Sequence, residues 1–210
     1  HAATFRAVIV DIGRPADGGP PPNRVNLLPE CVEGDPRGEV PVWNIGGDRD
    51  KHQYFIQVLL QVSAMLSERG WKWSFTLGRG ESHQTNDIEA LRLRLMWLEE
   101  VADFRIGDGD PAALRSIETA AGWVGYLELL PPDWGDGGYR WWRIADIGIY
   151  PHAEAPGRGV VSFDDGRVGG YVWLPSERFA RAWKAYQWTG SVSGDDSTRV
   201  QTNVIYGLTD

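Results

Sequence analysis

Apolar and polar positions along this chain follow two periods, which divide it into strands and helices. Residues 4–12 (TFRAVIVDI) are apolar and β-branched, the pattern of a mostly buried strand. Residues 40–45 (VPVWNI) predict a second short strand, moved toward a sheet edge by Pro41, which has no N–H to give to a ladder. From 48 to 69, Phe55, Leu59, Val62 and Leu66 form one stripe of a helix, and Gly70 stops it. Residues 71–77 (WKWSFTL) alternate, with Trp71, Trp73, Phe75 and Leu77 on one face and Lys72, Ser74 and Thr76 on the other, which predicts a half-buried strand.

A second helix is expected over 86–104. Asn86 and Glu89 make a capping-box-like start, and Ile88, Leu91, Leu95, Leu98 and Ala102 follow at helical spacing. Asp110-Pro111 predicts a short helix closed by Gly122. Beyond it the pattern is mostly extended, with strands at 123–130, 139–150, 160–163 and 168–174 separated by Pro131-Pro132, Gly137-Gly138 and Asp165-Gly166, like a meander. Ser176 caps a helix over 176–187 with Phe179, Ala182, Trp183 and Tyr186 inward, and a last strand is expected at 200–206.

These elements predict an α+β fold: a single antiparallel or mixed sheet of about six to eight strands, including residues 4–12, with three or four packed helices. A doubly wound fold fits less well, because strands and helices do not alternate regularly and no glycine fingerprint follows the first strand. The expected organisation is one globular domain over 1–210, with a Pro/Gly-rich loop at 13–24 and a polar C-terminal arm at 191–210.

Composition narrows the chemistry. With 42% hydrophobic and 24% charged residues the chain has ordinary globular composition. Cys31 is the single cysteine, so neither an intrachain disulfide nor a cysteine-based zinc or iron–sulfur cluster is possible. The net charge of −8 argues against passive binding to a nucleic-acid backbone. No apolar run is long enough for a membrane-spanning helix, and no signal peptide opens the chain, so a cytoplasmic or virion setting is expected. The start at His1 fits a trimmed chain, a signal-cleaved form or a fragment processed from a longer polypeptide.

Catalytic motifs are sparse. An N-terminal histidine resembles the copper-binding terminus of polysaccharide monooxygenases, but the resemblance covers His1 alone, and those β-sandwiches lack two long amphipathic helices. His52, His83 and His152 are dispersed and no pair has the spacing of a helical zinc site, so no metal or other cofactor is expected. Gly194-Asp195-Asp196 matches the metal-binding tripeptide of viral RNA polymerases, yet it sits in a polar turn without flanking apolar strands. The loop 77–82 is glycine-rich without the Lys-Ser/Thr pair of a phosphate-binding loop, and no nucleophile elbow is present.

The eleven tryptophans are the most unusual feature. In residues 139–144 (YRWWRI), alternation places Trp141 and Trp142 on opposite faces, so one of them leaves the core unless both sides of the sheet are covered. Trp134 is expected in the loop 131–138. Trp134, Tyr139, Arg140, Trp141, Trp142 and Arg143 are therefore the expected binding residues, since Trp, Tyr and Arg concentrate at contact hot spots. The function this favours is a non-enzymatic structural or interaction protein, such as a capsid-associated component of a virus particle, with a protein partner or self-assembly. Alternatives are an acidic inhibitor or immunity protein neutralising a toxin, and a small hydrolase or carbohydrate-binding domain.

Overall fold

The computed structural model describes residues 40–49, 53–81, 87–106, 115–118, 120–134 and 140–193, with the backbone alone at 53–55, 131–134, 140 and 141. Expectations for the strand at 4–12, the loop at 13–24, the end of the arm and the strand at 200–206 lie outside the described residues. In chain order the elements are β1 (Val42–Gly47), α1 (Gln53–Glu68), β2 (Trp73–Gly78), α2 (Ile88–Arg105), β3 (Trp123–Trp134), β4 (Arg140–Pro151), β5 (Val160–Ser162), β6 (Val168–Leu174) and α3 (Glu177–Thr189). The mixture of helices and strands is as expected.

Among the described residues the expected single sheet of six to eight strands is instead two small ones: β1 and β2 pair in parallel, and a separate antiparallel sheet runs β4-β3-β6-β5. The reason lies at the free edge of β2. Its even-numbered backbone groups face β1, as in the bond from Val42 N–H to the Lys72 carbonyl. Most of its odd-numbered groups are taken by side chains, while the Trp73 N–H bonds the Trp71 carbonyl (3.0 Å). Ser67 Oγ donates to the Trp73 carbonyl (3.3 Å) and Trp183 Nε1 to the Phe75 carbonyl (2.9 Å). The Gln187 amide pairs with both backbone groups of Leu77 (3.1 and 3.2 Å), and Arg79 N–H donates to Tyr186 Oη (3.2 Å). Side chains, most of them from α3, thus stand where a third strand would, and the ladder stops.

β2 is also more buried than its alternation suggests, with all six residues inside. Its polar side chains are satisfied there. Ser74 Oγ donates to the Trp173 carbonyl (2.6 Å) and accepts from Trp97 Nε1 (3.2 Å), while Thr76 Oγ1 accepts from Trp43 Nε1 (2.7 Å). A hydroxyl so paired escapes most of the cost of burial.

The β3–β6 strands do not form a simple meander. Two hairpins, β3–β4 and β5–β6, join through their inner strands β3 and β6. Pro131 and Pro132, expected to end β3, lie within it at a register shift between Leu130 and Asp133, where the ladder needs no N–H from them. The short helix expected to reach Gly122 does not do so: 115–118 is irregular, and the start of that prediction lies outside the described residues.

α1 is buried on more than the predicted stripe. Leu59, Val62 and Leu66 are inside, and so are Ile56, Leu60 and Ala64, because α1 is the crossover between the parallel strands and also packs on β6. Contact there is close: a Cβ on Gly170 would lie 2.6 Å from that of Ala64.

α2 shows the largest departure. It begins after Asp87, whose carboxylate accepts from Ala90 N–H, rather than at an Asn86 cap. Its buried residues are Ala90, Leu93, Trp97 and Val101. The predicted stripe faces out, with Ile88, Leu91, Leu95 and Leu98 at 59%, 43%, 53% and 41% exposure. The helix sequence carries two apolar stripes, and the buried one holds Trp97, which stacks on Trp43 (6.2 Å between centroids) and bonds Ser74. α3 is as read: Ser176 accepts from Phe179 N–H, the four predicted inward residues are buried, and Gly190 at φ +77° closes the helix.

Candidate functional site

α1 and α3 cover one face of the four-stranded sheet. Gly170 meets Ala64 of α1, and a Cβ on Gly125 would lie 3.0 Å from the Trp183 ring of α3. The opposite face carries a grid set by register. Val124, Tyr126 and Glu128 run along β3, with Tyr150, Gly148 and Asp146 beside them on β4 and Trp173, Tyr171 and Gly169 on β6. Val124, Tyr126, Glu128 and Trp173 of this grid are buried, and Tyr150 and Tyr171 are half-buried.

Glycines make room for the rings. Tyr150 lies over Gly148, where a Cβ would come within 2.4 Å of its Oη, and Tyr126 Oη and the Phe163 ring lie 3.3 and 3.1 Å from the Cβ position of Gly169. A Cβ on Gly157 would lie 2.7 Å from the Tyr171 ring, and the Tyr126 and Tyr171 rings are 4.8 Å apart at 35°. The glycines thus let the tyrosine rings lie close against the sheet.

A charged corner adjoins it. Tyr126 Oη donates to Glu128 Oε2 (2.7 Å), and Arg167 binds Glu128 Oε1. Arg167 also donates to Asp165 (2.8 Å) and lies 4.2 Å over the Phe163 ring. Glu128 is only 7% exposed, so this pairing offsets the cost of its burial. Burial, followed by the bond to and charge of Glu128, pushes the Tyr126 hydroxyl well above the usual phenol range. Burial and the neighbouring Tyr150 also raise Tyr171. Both rings are neutral at physiological pH and keep their hydroxyls as donors and acceptors.

At the far end a shallow cleft with room for about one water lies among Ser67, Trp71, His152, Arg158 and Tyr171. Arg158 donates to the carbonyls of His152 and Gly157. Burial, then the charges of Arg158 and Lys72, holds His152 below the usual imidazole value.

A second polar cluster sits at the carboxyl ends of β1 and β2. Arg79 approaches Asp48 at 3.3 Å, and Asp48 Oδ1 is buried without a hydrogen-bond partner. Burial raises the Asp48 carboxyl despite the opposing pull of Arg79. Among the described residues no group of three or more His, Cys, Asp or Glu is placed to hold a metal ion, and no helix is long and apolar enough to cross a membrane.

The binding residues expected from the sequence are distributed along the same β3–β4 hairpin. Trp142 is 4% exposed and packs into the core; its indole N–H has no hydrogen-bond partner. Arg143 is exposed. Trp134 and Arg140 are ladder partners at the hairpin end and Trp141 pairs with Asp133, with only their backbones described, and Tyr139 lies outside the described residues. The sequence reading missed Tyr126, Glu128, Tyr150, Phe163, Arg167 and Tyr171. The available signal was a tyrosine two residues after a strand glycine, in Gly148-Ile-Tyr150 and Gly169-Gly-Tyr171. Comparison with known proteins returns no match: no family model, curated protein or solved structure resembles this chain.

Proposed function

We propose that this chain is a non-enzymatic interaction protein and that the half-buried tyrosine-bearing face of its four-stranded sheet is the surface that holds a protein partner. The observation that carries this reading is the tyrosine face itself: Tyr126, Tyr150 and Tyr171, seated over or against glycines and bordered by the Glu128–Arg167–Asp165 network. Rigid aromatic rings lose little conformational entropy on binding, and their hydroxyls add directional hydrogen bonds. Exposed Arg143 lies on the same hairpin and extends the surface toward the tryptophans at its end. A particle subunit covered on this face by a neighbour is one setting that suits such a surface.

An acidic inhibitor is the second reading, favoured by exposed Asp146, Asp164 and Asp165 beside the face and by the net charge of −8. Affinity capture from source-cell extract tests the first, comparing the intact chain with the double variant Y150A/Y171A. Partners should be retained by the first and lost from the second while melting temperature changes little; identical capture by both would sink the reading. Capture that vanishes between low and high salt would favour a basic partner and the inhibitor reading.

A further inference from the structure

The exposed stripe of α2 belongs to neither the core nor the tyrosine face. Ile88, Leu91, Leu95 and Leu98 fall on one side of the helix over about three turns, each more than two-fifths exposed. A contiguous apolar row of this kind is the usual mark of a contact surface. We propose that it is the contact of a two-fold dimer in which α2 of one copy lies antiparallel against α2 of a second.

Charge on the helix indicates that the occupant is another copy. Arg92 and Glu99 are seven residues apart, so they flank the stripe on the same side, and their side chains are 60% and 65% exposed. A two-fold axis near Leu95 sets Arg92 of each copy against Glu99 of the other, so one helix surface complements itself. A parallel pairing leaves both residues level with their own counterparts. The existing partners do not prevent the exchange. Arg92 holds Glu89 of its own helix, and Arg178, which binds Glu99, also binds Glu100 at 2.6 Å and keeps it. Glu89 is independently held by Val192 N–H (2.9 Å) and Ser191 Oγ (2.8 Å). A footprint of one helix stripe is small, so the dimer forms reversibly at micromolar or higher concentration.

Sedimentation velocity over roughly 1 to 300 μM tests this. The intact chain should pass from monomer to dimer, and L95E should weaken the dimer at least about tenfold with an unchanged melting temperature, since Leu95 is exposed. Either charge reversal, R92E or E99R, should weaken it several-fold, and the combination R92E/E99R should restore it to within about threefold. That restoration is particular to the antiparallel two-fold geometry. A chain monomeric throughout overturns the proposal, whatever other segment or partner then covers the stripe; so does a dimer indifferent to L95E, or one that the double reversal fails to restore. The tyrosine face is not involved, and Y150A/Y171A should dimerise normally.

Discussion

Gly170 and Gly148 occupy strands of the same sheet but face opposite ways, and their surroundings set opposite expectations. A methyl group on Gly170 meets the Ala64 Cβ of α1 at 2.6 Å, with neither side able to rotate away. G170A should therefore cost about 1–3 kcal/mol, the overpacking range, read by urea unfolding. At Gly148 the obstacle is the outer end of the Tyr150 ring, which can swing aside. G148A should leave stability within about 1 kcal/mol of the parent but displace Tyr150, so partner capture should fall in the same direction as for Y150A/Y171A. Trp142 follows the core pattern. Its burial predicts a loss of about 3–5 kcal/mol for W142A, and because its indole N–H has no partner, W142F should cost much less. A mild melting shift for W142A would contradict its place in the core.

The relation between α3 and β2 is the element-scale feature on which the two-sheet architecture turns. Gln187 is fully buried and satisfies both backbone groups of Leu77, so replacing it removes two hydrogen bonds and strands an N–H and a carbonyl in the interior. Q187L, similar in volume, should destabilise by about 2–4 kcal/mol, the sum of two unmet buried groups. Amide exchange at Leu77 should accelerate relative to Val124, which lies in the other sheet. Equal protection in variant and parent would mean that the edge is held by something other than this side chain.

Across the whole molecule, the response to acid combines groups of opposite sign. His152 titrates below its ordinary value of 6.5 in the folded chain, so the unfolded chain binds that proton more readily. Its contribution is complete above pH 6.5 and is lost as pH falls through the lower folded value. H152N should flatten the decline in stability just below pH 6.5, measured by melting temperature against pH. Glu89 acts at lower pH in the same direction. Burial pushes it up, but Val192 N–H, Ser191 and Arg92 together hold it below 4.5, so its protonation also weakens the fold. Asp48 opposes them: burial raises it above 3.8, the folded chain holds that proton more tightly, and acidification relieves the cost of its charge. If H152N and the parent decline in parallel from pH 7 to 5, His152 does not govern that window.

Local patterns in the sequence determined most of the described elements. The strands β1 to β6 and the helices α1, α2 and α3 lie near the positions that alternation, helical spacing, Ser176 and Gly70 indicate, because these signals act within a few residues and need no partner. Tertiary structure decided which surfaces those elements use. Both stripes of α2 have helical spacing, and only the fit of Trp97 against Trp43 and Ser74 selects between them. Ser74 and Thr76 read as solvent-facing until groups from distant elements supply their partners. The tryptophan pair was legible as a pair divided between two faces, but the direction of Trp142 depended on where the helices pack. Tyr171 and Arg167 reach Tyr126 and Glu128 only through the pairing of β3 with β6, about forty residues apart. Spacing along the chain carries periodicity; it carries neither the register between distant strands nor the choice of which apolar face is covered, and those two determine the candidate site.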